Sequence, residues 1–133
     1  MNTVDYLKAA RAFIVRGWVQ GPLAVDSTGL AVPPHSSNAV AWDMMGSIYA
    51  AGKEAGPHPQ QHREAMEAIR MQIPPMPTMQ LSTFNDASGR TKEEILDVFD
   101  KAIAMASEPV GAFTIQERAA AEYEKFKRET GKA

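Results

Sequence analysis

The chain has 133 residues, 44% hydrophobic and 23% charged, a balance that fits a globular domain and excludes a disordered chain or a fibre. Fourteen Lys and Arg stand against sixteen Asp and Glu, a net charge of −2, which argues against duplex nucleic acid as a partner because such binding needs a basic face. There is no cysteine, so disulfide frameworks, thiolate metal sites and cysteine nucleophiles drop out.

The first residues, Met1-Asn2-Thr3-Val4-Asp5-Tyr6, lack a basic segment followed by an apolar run, so no signal peptide is read there. The longest uncharged stretches, Ser27–Trp42 and Met71–Asn85, hold prolines and polar residues, and neither reads as a membrane span. The expectation is a cytoplasmic protein with no membrane partner.

Val4, Leu7, Arg11 and Ile14 fall at helical spacing, with Ala10 and Phe13 widening the stripe. They predict a helix over Thr3–Arg16, capped by Thr3 and ended by a left-handed Gly17. Leu23-Ala24-Val25 and Leu30-Ala31-Val32 flank Asp26-Ser27-Thr28-Gly29 and read as a small β-hairpin, closed by Pro33-Pro34. A second helix is expected from Ser36-Ser37-Asn38 to about Ala51, stopping at Gly52, with Trp42 on it as a core residue. A third begins at Pro59 and carries His62, Met66, Ile69 and Ile73 on one stripe. Pro74-Pro75-Met76-Pro77 forces an extended link, and Thr78 to Thr83 reads as a short strand. Thr91-Lys92-Glu93-Glu94 is a capping box opening a helix with Ile95, Val98, Phe99, Ala102, Ile103 and Ala106 inward, ended by Pro109. Thr114-Ile115-Gln116-Glu117 opens a last helix to about Glu129. The fold class is α+β: one mostly helical domain with a small antiparallel β-sheet, comprising a core over 1–108 and a C-terminal helical extension over 109–133.

Chemistry concentrates in Phe84-Asn85-Asp86-Ala87-Ser88-Gly89-Arg90-Thr91. A helix start offers free backbone N–H groups to an anion. Arg90 can grip phosphate in two places, and Thr91 can cap or donate. Phe84 can stack on a purine, and Asn85 or Asp86 can bond a base edge or ribose hydroxyl. The same residues also describe a capped turn in which Asp86 pairs with Arg90 and Phe84 enters the core. Trp18, bracketed by Gly17 and Gly21, is either a ring-and-donor ligand contact or a half-buried anchor. His58 and His62 are four apart, but Pro59 stands where a zincin has glutamate, so they read as solvated or capping residues and no metal or cofactor is expected. Glu93, Glu94, Asp97 and Asp100 form an acidic helix face balanced by lysine. No nucleophile elbow, P-loop or dinucleotide fingerprint occurs, and the chain does not read as an enzyme.

Gly17-Trp18-x-Gln20-Gly21, the small-residue segment Met45-Gly46-Ser47-Ile48, and Phe84-Asn85-Asp86 followed by Arg90-Thr91-Lys92-Glu93-Glu94-Ile95-Leu96 carry a resemblance. Over about residues 1–106 the chain resembles a group of small, uncharacterised phage and bacterial domains. It departs from them at Phe84, where tryptophan is expected, and in its tail. It also resembles the phage anti-defence sponges of the first Thoeris-antagonist type. That resemblance implies sequestration, without cleavage, of a cyclic nucleotide immune signal, a cyclic ADP-ribose isomer or a cyclic oligonucleotide, in pockets built between subunits. It makes Phe84, Asn85, Arg90 and Thr91 ligand-binding candidates, with Asp86 and Trp18 beside them, in a homodimer or higher homo-oligomer. The alternatives from other classes are a nucleotide- or amide-directed hydrolase using Asp86 or a helix glutamate as base, and a phage protein–protein adaptor.

Overall fold

The computed structural model describes residues 2–55, 59–74, 80–108 and 123–127. In chain order the elements are α1 (Thr3–Arg16), β1 (Ala24–Val25), β2 (Ala41–Trp42), α2 (Met44–Ala55), α3 (Pro59–Arg70), α4 (Leu81–Asn85) and α5 (Lys92–Ala106). This is the expected class, mostly helical α+β with a two-stranded antiparallel sheet. Helix α1 packs on α2, α3 and α5. Its stripe of Tyr6, Leu7, Ala10, Phe13 and Ile14 is buried against Met44 and Ile48 of α2, Ile69 of α3, and Ile95, Val98 and Phe99 of α5.

The bounds of α1 are as predicted, but both of its ends are built differently. Asn2, not Thr3, is the N-cap, its side chain accepting from the backbone N–H of Asp5 at 2.8 Å. Thr3 is thereby released to donate its hydroxyl to Glu64 at 2.6 Å, tying α1 to α3. Gly17 is extended (φ −177°) rather than left-handed. Glycine is needed there because a Cβ would collide with the carbonyl oxygen of Val40 and lie 3.0 Å from the Cα of Ala41. The two segments are in register, Trp42 N–H donating to Gly17 and Val19 N–H to Trp42.

The predicted hairpin forms only in part. Asp26 organises the turn, its carboxylate accepting from the Thr28 hydroxyl and from the N–H groups of Thr28 and Leu30. The returning arm makes a single bridge, Val25 with Ala31. The sheet partner of β1 is instead β2, with Ala24 opposite Trp42 and Val25 opposite Ala41. These residues were expected at the start of a helix from Ser36. Asp43 is the side chain that caps α2, accepting from Gly46 N–H at 2.6 Å, while Ser36 bonds only the local turn at Asn38. Starting the helix at Met44 leaves Trp42 extended, 2% exposed, and packed on Phe13 at 4.8 Å between ring centroids. Gly52 does not stop α2; it admits the Tyr6 hydroxyl, which lies 2.5 Å from where its Cβ would be.

The described part of the predicted strand Thr78–Thr83 is not a strand. Leu81 opens α4 and is buried with Phe84 and Asn85 on one face of that single turn. The capping box at α5 is present as read: Thr91 accepts from Glu94 N–H and Glu94 accepts from Thr91 N–H. The outer face of α5 is salted as expected, Asp97 pairing with Lys101 and Asp100 with Arg11 of α1. The start of the last helix at Thr114, the link through Pro75-Met76-Pro77, Pro109 and His58 lie outside the described residues; within the extension, residues 123–127 are helical.

Candidate functional site

The chain brings Trp18, Asn85 and Asp86 into one polar knot, and Phe84, Arg90 and Thr91 beside it. Asn85 is fully buried. Its side-chain oxygen accepts from Trp18 Nε1 at 2.8 Å and from Met44 N–H at 3.1 Å. Its amide donates to the Val19 carbonyl at 3.1 Å and to Asp86 Oδ1 at 2.9 Å. Asp86 Oδ1 also accepts from Gly21 N–H, and Gln20 donates to the carbonyls of Asn85 and Ala87. Three separate stretches, residues 18–21, Met44 and residues 85–87, are therefore fastened around one amide. A buried polar group is tolerated when its bonding capacity is used, and among the described residues no buried side-chain N or O lacks a partner.

Arg90 is likewise engaged. Its Nε donates to the Phe84 carbonyl at 2.9 Å, a terminal N–H donates to Glu94 at 3.0 Å, and the guanidinium lies 3.7 Å over the Phe84 ring. Its acidic partner is Glu94, one helical turn on, and not Asp86, which the Asn85 amide and Gly21 occupy. Phe84 is 8% exposed and Thr91 is the cap of α5. These groups meet as the sequence suggests, but their bonds are made to each other.

Asp43 was missed in the sequence, although Asp before Met-Met-Gly is a readable helix cap. It is 1% exposed. Burial pushes its carboxyl up to about 6, and nearby Asp86 adds to the rise, while the N–H groups of Gly46 and Met45 oppose it. A carboxyl raised in the folded state stabilises below its unfolded value, and that stability is lost as pH climbs through about 6. Asp43→Asn keeps a capping oxygen and removes the titration. The variant is expected to gain roughly 2 kcal/mol over wild type between pH 4 and pH 7, measured by urea unfolding at both values. An equal difference at both pH values would show that Asp43 titrates normally.

His62 has a packing role. Its Nδ1 lies 2.8 Å from the Tyr6 hydroxyl, which also donates to the Ile48 carbonyl, and its ring stacks on Tyr49. Burial holds its pKa below the ordinary value.

A groove of about 340 Å³ opens on the other side of Trp42, between the end of α1, the 33–39 loop and α2. Small residues, Ala39 and Ala50, leave its depth free. The Trp42 indole donates to the Pro34 carbonyl at 2.8 Å and pins the loop. The guanidinium of Arg16 lies 4.9 Å from the Trp42 ring centroid and 5.4 Å from that of Phe13. Because Trp42 is covered, the outer face of Arg16 is the planar surface that the groove presents. Lys53 stands on the α2 side, its ammonium held, among the described residues, only by the His35 carbonyl at 3.4 Å. Ser36 and Ser37 add hydroxyls. Aromatic-backed guanidinium, ammonium and hydroxyls together suit a phosphate attached to a flat ring. No pattern in the sequence marks this site, since its charged residues come from two separated segments, α1 and α2.

No helix among the described residues is long and apolar enough to cross a membrane. No curated protein and no solved structure matches the chain. Residues 1–105, which hold both the knot and the groove, match the profile of a family of unknown function, DUF6197, and the chain belongs to that family.

Proposed function

We propose that this protein binds a small nucleotide-class anion in the Arg16 groove and sequesters it without cleaving it. The use that the sponge resemblance implies is removal of a cyclic nucleotide immune signal from the host cytosol. The observation that carries the reading is Arg16 itself. It is exposed, layered on two rings, and makes no ion pair or hydrogen bond among the described residues. A cation held in place by ring stacking keeps its N–H donors available for phosphate. The carboxylates of the knot serve as acceptors for the backbone, which suits a scaffold that holds a ligand and leaves it unchanged.

The test is calorimetry with cyclic AMP, followed by heat denaturation and mass spectrometry of the released ligand. Wild type is expected to bind and to return the ligand intact. Arg16→Ala removes a charge-assisted contact and is expected to weaken binding roughly tenfold to a hundredfold. Its stability should fall by only about 1 kcal/mol, the worth of an exposed cation–ring contact. Equal uptake by Arg16→Ala and wild type removes the groove as the site; a released product in place of the ligand replaces sequestration with catalysis.

A further inference from the structure

We infer that the groove selects a ligand with a single phosphate charge and a hydrogen-bond donor edge, and that Glu54 makes the selection; this rests on the binding reading above. Glu54 lines the same groove as Arg16 and Lys53. It is exposed, and it makes no hydrogen bond or ion pair among the described residues, although both cations share its cavity. The groove therefore holds a carboxylate and a guanidinium in one cavity, neither bonded to the other among the described residues, with two cationic side chains and one acid.

That arrangement has a definite chemical complement. A second phosphate charge would be drawn by Arg16 and Lys53 but pushed away by Glu54, and like charges brought together are an established means of rejecting a wrong ligand. An acceptor-only carboxylate is matched by hydroxyl or amino donors, which a nucleoside supplies on its ribose and its base. The volume agrees. About 340 Å³ is at the small end of ligand pockets, which run from about 300 to 1,000 Å³, and suits one nucleoside unit. Cyclic AMP meets all three conditions: one charge, a ribose hydroxyl and an exocyclic amine.

The experiment compares Kd for cyclic AMP and for ADP, each by calorimetry, in wild type and in Glu54→Gln. Wild type is expected to prefer cyclic AMP. Removing the negative charge while keeping the side chain's size should shift the ratio of the two constants toward ADP by about tenfold. Deoxy-cyclic AMP and cyclic IMP then identify the donor: the analogue lacking Glu54's partner loses more affinity in wild type than in the variant, whose neutral amide oxygen still accepts but without charge assistance. Melting temperatures should coincide because Glu54 has no partner among the described residues to lose. An unchanged ratio overturns the role of Glu54 while leaving the binding reading intact. Failure of wild type to bind either nucleotide overturns both.

Discussion

Asn85→Ala is expected to cost about 3–5 kcal/mol, the largest loss of any truncation in the knot. The substitution leaves the Met44 N–H, the Val19 carbonyl and the Trp18 indole N–H without their partner, and each buried unsatisfied group costs about 1–3 kcal/mol. Water can reach half-buried Trp18 and will repay part of that loss, which is why the sum stays below the maximum. Denaturant unfolding reads the difference directly. Asn85→Asp separates packing from bonding, because it keeps the shape and the acceptor oxygen. It replaces the donor facing Asp86 by an acid, so its deficit should shrink as the pH is lowered and the introduced carboxyl takes up a proton. A loss below about 1 kcal/mol for Asn85→Ala would mean that the three partners find other bonds, and that the knot does not fasten the chain.

The helices that the sequence reveals most plainly are those specified by neighbouring residues. The α5 capping box closes within four residues, and the apolar stripe of α1 needs only its own period. The sheet was not legible in that way. Ala41 and Trp42 are extended because Gly17 lets the Val40 carbonyl approach and because Phe13 receives the indole, and both partners are distant along the chain. Turn α4 reads as a strand for the same reason: only Asn85's bonds to Val19 and Met44 show why its end must be helical.

The candidate site divides similarly. The Phe84–Thr91 segment is rich in groups that could meet a nucleotide, and its residues do converge. Convergence is what makes them structural, since Asn85 and Arg90 use their donors on carbonyls and carboxylates of the same chain. Arg16, Lys53 and Glu54 carry no motif. They become a site only when α1 and α2 are set side by side with the loop pinned to Trp42.

Gly46→Ala tests whether that juxtaposition tolerates one added carbon. Within an ordinary helix, glycine to alanine stabilises by about 1 kcal/mol. Here the new Cβ would collide with the carbonyl oxygen of Leu23, with the carbonyl carbon at 2.8 Å and Asp43 Oδ1 at 3.2 Å. The obstacle is backbone held in place by Asp43 N–H, which donates to that same carbonyl at 3.0 Å, so no side-chain rotation relieves it. Helix α2 must move away from β1, and overpacking of this kind costs about 1–3 kcal/mol, at times more. The helix gain is outweighed, and a net loss of roughly 2–3 kcal/mol is expected by denaturant unfolding. The displacement also pulls on Asp43, whose carboxylate caps α2 through Gly46 itself, and on Trp42 one residue before it. Binding in the Arg16 groove should therefore weaken in Gly46→Ala under conditions where the protein is still fully folded. Gly52→Ala is the comparison. Its Cβ would press on the end of the Tyr6 side chain, with His62 Nδ1 at an ordinary 4.0 Å, and the phenol can shift at the cost of its bonds to Ile48 and His62. If Gly46→Ala is no less stable than Gly52→Ala, the approach of α2 to β1 is loose, and the groove does not depend on it.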